Sequence, residues 1–336
     1  MRHPAFLQQL AKLVRLHYGP ALRLYKGFGN ATECTIYGHA LSLSPIPRKR
    51  YRNFILFNTA ALLRLFMVKP VKKACIELRY GNEKYTTYTE DDGFFHFQWK
   101  PSAPLLPGIY SISAAWMENN QVIATAEADF IIPSSTDYAF ISDIDDTFLI
   151  SHSSNLRKRL YVLLTHNARS RRPFDGAVKH YQLLEQGKKV FFYVSSSEWN
   201  LYDYIREFIR VQQLPDGSLL LNQLKTFSRL MATGQGKHHG KFTRIVRILE
   251  AYPDQSFVLL GDDSQQDPFI YARLVEHFPR QIYAVYIRRL KPEGKKIVTD
   301  ELSIIEQAGV HSCYFYHSEE AIAHSYQVGL IQQFTT

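Results

Sequence analysis

Short, continuous apolar runs recur through the second half of the chain: Tyr138–Ile141, Lys189–Val194, Phe257–Leu260 and Ile282–Ile287. Runs of this length, apolar at every position, suit strands buried on both faces. Between them lie segments of helical spacing near 176–186 (closed by Gly187), 198–210, 241–251 and 268–277. Phe242, Ile245 and Leu249 mark the apolar stripe of the third. With further strands near 218–223 and 312–316, the alternation predicts an α/β fold with a parallel sheet and helices on both faces. The first half reads differently. Ala74–Tyr80, Gly93–Trp99 and Tyr110–Ala114 alternate apolar and polar residues, separated by turns at Gly81-Asn82, Asp91-Asp92-Gly93 and Pro107-Gly108. A half-buried antiparallel, β-sandwich-like domain fits, with a further strand near Cys34–Leu43. Pro133-Ser134-Ser135 links the halves. The organisation expected is a basic amphipathic segment over 1–19, the β domain over 20–133 and the α/β domain over 137–330. A basic apolar helix, at about 53–68, interrupts the β domain.

Three of the buried strands end in unusual chemistry. The first runs into Asp143-Ile-Asp145-Asp146-Thr147, and another into Gly261-Asp262-Asp263 with Asp267 following. Unpaired buried charge is costly, so clustered acids at strand tips call for a cation. Carboxylate oxygens suit a hard ion such as Mg2+, which keeps positions open for phosphate. The run Lys189–Val194 ends in Ser195-Ser196-Ser197, where hydroxyls and a helix N-terminus suit a phosphate oxygen, although serines also serve as ordinary caps. Lys241 opens a helix and taken alone would be a surface lysine. Three of these four signals lie where open α/β sheets place their sites, at the carboxyl ends of strands.

The spacing D-x-D-x-T, followed in order by the serines, Lys241 and G-D-x-x-x-x-D, resembles the haloacid dehalogenase (HAD) superfamily. Phe174–Val178, Tyr193–Tyr202, Leu260–Pro268 and Ile282–Arg288 are similar to the actin-patch-associated phosphatidate phosphatase family. The resemblance covers roughly 138–330 and implies a HAD-like Rossmannoid catalytic domain. It also implies a Mg2+-dependent phosphatase converting phosphatidate to diacylglycerol and phosphate. Asp143 would attack phosphorus and form an aspartyl-phosphate, with Asp145 as acid and base. Asp143, the Asp145 backbone carbonyl and Asp262 would hold the metal, supported by Asp263 or Asp267. Ser195, Ser196, Thr147 and Lys241 would bind the phosphoryl group, Lys241 also acting in catalysis by offsetting transition-state charge, and Thr147 would order the loop. Glu198 stands where the family usually has proline, and adds a negative charge beside the serines. Two alternatives stay open: a phosphatase for a soluble phosphomonoester, and a non-catalytic phosphatidate-binding module.

Charge adds a partner to this picture. The net charge of +9 is uneven. Through Cys75 there are thirteen Lys and Arg against Glu33 alone, while the remainder holds twenty-seven basic and thirty acidic residues. Phe6–Leu16 and Phe54–Val68 are amphipathic or apolar with basic flanks, a pattern that fits transient contact with an anionic membrane. The second is apolar enough that packing on the protein is the stronger expectation. Nucleic acid is the weaker alternative, because no binding motif accompanies the charge. Asn155–Arg172, with leucines between basic clusters, is expected to form a flap beside Asp143. Three scattered cysteines argue for a reducing compartment. No run is long enough to span a bilayer, no signal-peptide pattern opens the chain, and His238-His239 lack zinc spacing. A cytoplasmic protein, peripheral at the inner membrane face, is expected.

Overall fold

The computed structural model describes residues 15–46, 55–148, 173–186, 189–226 and 239–332. The expected amphipathic helix at Phe6, the flap at 155–172, Gly187 and His238 lie outside the described residues. Two compact units divide between Ser134 and Ser135; Glu198–Asp203 and a segment starting at Gln223 return to the first.

In the second unit a six-stranded sheet runs in the order β12 (Gly217–Asn222), β11 (Phe191–Glu198), β10 (Tyr138–Ser142), β13 (Ser256–Asp262), β14 (Ile282–Arg288), β15 (His311–Phe315). The pairs from β11 through β15 are parallel. From β10 the chain steps outward one way to β11 and β12, then crosses back to β13 and steps the other way. The order therefore reverses between β10 and β13, and a crevice opens at their carboxyl ends. Right-handed crossovers place helices of opposite direction on opposite faces. Helix α4 (His239–Ala251) packs with α5 (Asp267–His277), which packs with α6 (Lys296–Gln307), while α7 (Ser318–Gln327) packs with α2 (Ala177–Glu185).

Strand β11 extends through Glu198 with every residue buried, rather than ending at Val194. A 3-10 turn, Trp199–Leu201, intervenes before α3 (Tyr202–Val211). The serines, expected at a strand-to-helix junction, are strand residues. Helices α6 and α7 were not anticipated. The buried positions of α7 are Ser318, Ala321 and Ser325, small residues that leave little hydropathy signal.

The first unit holds nine strands in one hydrogen-bonded sheet: β1 (Leu16–Leu24), β2 (Gly27–Gly29), β3 (Cys34–Pro45), β4 (Lys69–Pro70), β5 (Cys75–Tyr80), β6 (Glu83–Tyr88), β7 (Phe94–Trp99), β8 (Gly108–Glu118) and β9 (Gln121–Ile132). This replaces the two separate sheets of a sandwich. The twelve-residue β3 pairs with β1, β2, β4 and β7 and so joins both arms. All neighbours pair antiparallel except β2 with β9. Both arms feed one core containing Ile36, Ile76, Phe95, Trp99, Ile112 and Phe130. Strand β1 starts inside the segment assigned to 1–19. Helix α1 (Ile55–Leu65) falls where the apolar insertion was expected, and Leu62, Phe66 and Val68 are buried. Their packing removes these side chains from any membrane contact.

Candidate active site

Strand β10 ends at Ser142, and the next five residues are all buried. Asp146 adopts φ 62°, a left-handed conformation that aspartate tolerates better than most residues. The resulting turn brings Thr147 back, so that its Oγ1 donates to Asp143 Oδ2 at 3.2 Å and lies 3.4 Å from Asp262 Oδ2.

Asp262 ends β13 and Asp267 opens α5. With Asp143 they bring one carboxylate oxygen each within 4.8 Å of one another, all three buried. Lys241, in the first turn of α4, donates from Nζ to Asp143 Oδ1 at 2.8 Å and to Asp267 Oδ1. Burial opposes the charge on Lys241, but the Asp143 and Asp267 carboxylates outweigh it and raise its pKa. Burial also pushes Asp143 up to about 7; Lys241 opposes this, while Asp267 and Asp145 add to it. Burial, followed by repulsion from Asp267 and Asp143, raises Asp262 well above the ordinary carboxylate range. Three carboxyl groups thus converge beside one ammonium. That donor set fits a hard divalent cation.

Asp263 is placed elsewhere. Its carboxylate accepts from Tyr314 Oη at 2.8 Å and the Leu290 N–H at 3.3 Å, with Lys295 Nζ 3.5 Å away. Of the two supporting acids considered from sequence, Asp267 joins Asp143 and Asp262, and Asp263 serves the β14–β15 side of the sheet.

The carboxylate of Asp145 is also outside the trio. Ser197 Oγ donates to its Oδ2 at 2.7 Å and Ser195 Oγ to the same oxygen at 3.3 Å. Along a strand, side chains alternate between faces, so Ser195 and Ser197 share a face and Ser196 takes the other. The Ser196 hydroxyl is buried and has no partner among the described residues. The geometry thus brings Ser197 to the site and does not bring Ser196, expected as a phosphate contact. Strand alternation carried through Glu198 would have found this. Glu198 is paired with Lys225 at 2.7 Å, which offsets the charge that replaced proline.

Two cations escaped the sequence reading. Arg244, one turn after Lys241, donates to the Ser195 carbonyl at 3.2 Å. Arg288, at the end of β14, is buried between the rings of Phe174 and Phe315, with centroids 4.6 and 4.7 Å from its guanidinium carbon. It donates from Nε to the Thr147 carbonyl at 2.7 Å and from Nη2 to Ser318 Oγ at 3.0 Å. The turn that carries Asp143 and Asp145 is therefore held at its far end by a buried arginine.

Residues 138–289 match the family model described as phosphatidate phosphatase APP1, catalytic domain. Phosphatidate phosphatase APP1 of Saccharomyces cerevisiae is 30% identical over 168 residues, 49% of this chain and 27% of the yeast protein. An uncharacterised protein of Schizosaccharomyces pombe is 20% identical over 262 residues, 76% of this chain and 41% of its own length. The chain therefore spans less than half the length of these curated relatives. Among solved structures, a carbohydrate acetylesterase from Xanthomonas citri aligns over 92% of this chain and 75% of its own, at 8% identity and a TM-score of 0.37. Cytosolic 5'-nucleotidase IIIB aligns over 52% and 86%, at 11% identity and a TM-score of 0.28. At such TM-scores neither bears on the fold. Every residue of the carboxylate site lies in the segment, residues 138–289, that matches the APP1 catalytic-domain family.

Proposed function

We propose that this chain is a Mg2+-dependent phosphatase of HAD-like fold that hydrolyses a phosphomonoester lipid, foremost phosphatidate, through an aspartyl-phosphate on Asp143. The observation that carries the reading is the separation of roles among neighbouring acids. Asp143 stands with Asp262, Asp267 and Lys241, while Asp145, two residues on, is held by hydroxyls.

In the first step an Asp143 carboxylate oxygen attacks phosphorus and the bond from phosphorus to the lipid oxygen breaks. Asp145 gives a proton to the departing oxygen, a contribution typically worth about 10²–10⁴-fold. In the second, Asp145 takes a proton from water, the water oxygen attacks phosphorus, and the bond to Asp143 breaks to release phosphate. Lys241 offsets charge on the phosphoryl oxygens, and Ser195 supplies a hydroxyl to them. Mg2+ bound by Asp143, Asp262 and Asp267 would supply further positive charge at the phosphoryl group. No described helix is long and apolar enough to cross a membrane, and the substrate would be met at an anionic bilayer surface from the cytoplasmic side.

The test is phosphate release from phosphatidate vesicles and from soluble phosphomonoesters, with Mg2+ or a chelator. Turnover is expected with Mg2+ and should vanish in Asp143→Asn and in Asp145→Asn. Substantial activity in Asp143→Asn would overturn the covalent route. Preference for the soluble esters would replace the lipid as substrate, and tight vesicle binding without turnover would replace the enzyme by a binding module.

A further inference from the structure

Ser197 has no part in the scheme above, yet it is hydrogen-bonded to Asp145 more closely than Ser195 is. Its Oγ lies 2.7 Å from Asp145 Oδ2, and both residues are buried, at 3% and 8% exposure. A hydroxyl donating to a carboxylate at that distance is a strong, charge-assisted bond. Ser195 reaches the same oxygen at 3.3 Å. The Ser197 N–H donates to Ser195 Oγ at 2.9 Å, so one serine also orients the other. Two hydroxyls converging on one oxygen restrict rotation of the carboxylate. The tighter hold belongs to Ser197, and the longer bond of Ser195 is the one a phosphoryl oxygen can draw away.

Taking the proposed function as its basis, we infer that Ser197 is a positioning residue that aims the Asp145 carboxylate at the leaving-group oxygen. The extension of β11 through Glu198 makes this possible, because it places Ser197 on the same face as Ser195. Small errors in the placement of a proton donor carry large rate penalties, and a carboxylate turned away from the leaving oxygen transfers its proton poorly.

This role has a chemical signature. An aryl phosphate such as p-nitrophenyl phosphate expels a stable anion and needs little protonation. An alkyl phosphate, such as glycerol phosphate or short-chain phosphatidate, expels a strongly basic alkoxide and depends on the acid. Ser197→Ala should lower kcat/KM on the alkyl phosphate by about 10- to 100-fold, the range set by losing one hydrogen bond to a charged group. On the aryl phosphate the loss should stay within about 3-fold, since acid catalysis contributes little there. Ser197→Thr, which keeps the hydroxyl, should restore the alkyl activity. Equal losses on both substrates, or none on either, would overturn the inference, as would failure of threonine to rescue. Absence of activity in the unmodified protein would instead overturn the phosphatase reading itself. Thermal melting of each variant separates a folding defect from these outcomes, and the threonine variant keeps the test open should alanine fail to fold.

Discussion

Asp262→Asn is expected to stabilise the metal-free protein at pH 8 and to remove its thermal response to Mg2+. The reason lies in charge crowded at the strand ends. Asp143, Asp262 and Asp267 bring carboxylate oxygens within 4.8 Å, and Lys241 is the cation bonded among them. At an effective dielectric near 20, two unit charges that far apart repel by about 3.5 kcal/mol. The Asp143 carboxyl, buried and pushed up to about 7 from 3.8, costs on the order of 4 kcal/mol to ionise inside the folded site. The folded-state pKa of this acid lies above the unfolded one, so folding takes up a proton. Its contribution is therefore harmless below about pH 4 and withdraws stability as pH rises towards 7.

Asparagine at 262 removes the cost of ionising a buried acid beside Asp143 and Asp267 but keeps an acceptor for the Ser264 N–H, now 2.6 Å from Asp262 Oδ1. Part of the relief is lost with the attraction to Lys241, leaving a net gain of about 1–2 kcal/mol, or roughly 2–8 °C in Tm for a unit of this size. Melting curves at pH 5, 6.5 and 8, in chelator or millimolar Mg2+, measure it. For the unmodified protein the Mg2+ increment should grow with pH across that series. A variant less stable than its parent at pH 8 in chelator would refute the reasoning, as would an undiminished Mg2+ increment.

Asp263→Asn should keep the Mg2+ increment and Asp267→Asn should abolish it, as the same melts would read, because only Asp267 shares the carboxylate cluster. Gly261→Ala should destabilise by about 1–3 kcal/mol and blunt the Mg2+ response. Its Cβ would sit 2.6 Å from Asp267 Oδ2 and 2.8 Å from Tyr271 Cε2, and an increment equal to the parent's would show that Asp267 yields without leaving its place. Arg288→Met retains bulk between Phe174 and Phe315 but removes the donor to the Thr147 carbonyl. A loss of about 2–4 kcal/mol in urea unfolding is expected, together with reduced phosphate release.

The strands that lead into Asp143 and Asp262 were legible because they are apolar nearly throughout and end in acids, a combination with few explanations. In the structure Asp143, Asp262, Asp267 and Lys241 stand together. What was missed has physical causes. Strand Glu83–Tyr88 alternates half-buried and exposed polar positions, and Gln121–Ile132 turns alanines inward, so neither carries a strong apolar signal. Helix α7 buries small residues, as noted. Ser197 was hidden because serine before a helix reads as a cap; only its bond to Asp145 distinguishes it. Arg288 was hidden because an arginine after an apolar strand reads as its solvated end, whereas here two rings and a carbonyl enclose it.

The topology explains why two aspartates two positions apart can hold different tasks. In an extended strand Asp143 and Asp145 would project to the same side. Strand β10 ends at Ser142, however, and the chain enters the turn at Asp146. Strand β10 has β13 along one edge and β11 along the other. Asp143 meets partners from the β13 end and its following helix, Asp262 and Asp267, along with Lys241 of α4. Asp145 meets Ser195 and Ser197 of β11. Among the described residues, one carboxylate thus meets charged partners and the other two hydroxyls, and environments that differ in this way suit neighbouring acids to different tasks. The point where the strand order reverses opens the crevice and also sorts the two acids within it. A change that lengthened β10 by pairing through Asp145 would be expected to cost function even with every side chain retained.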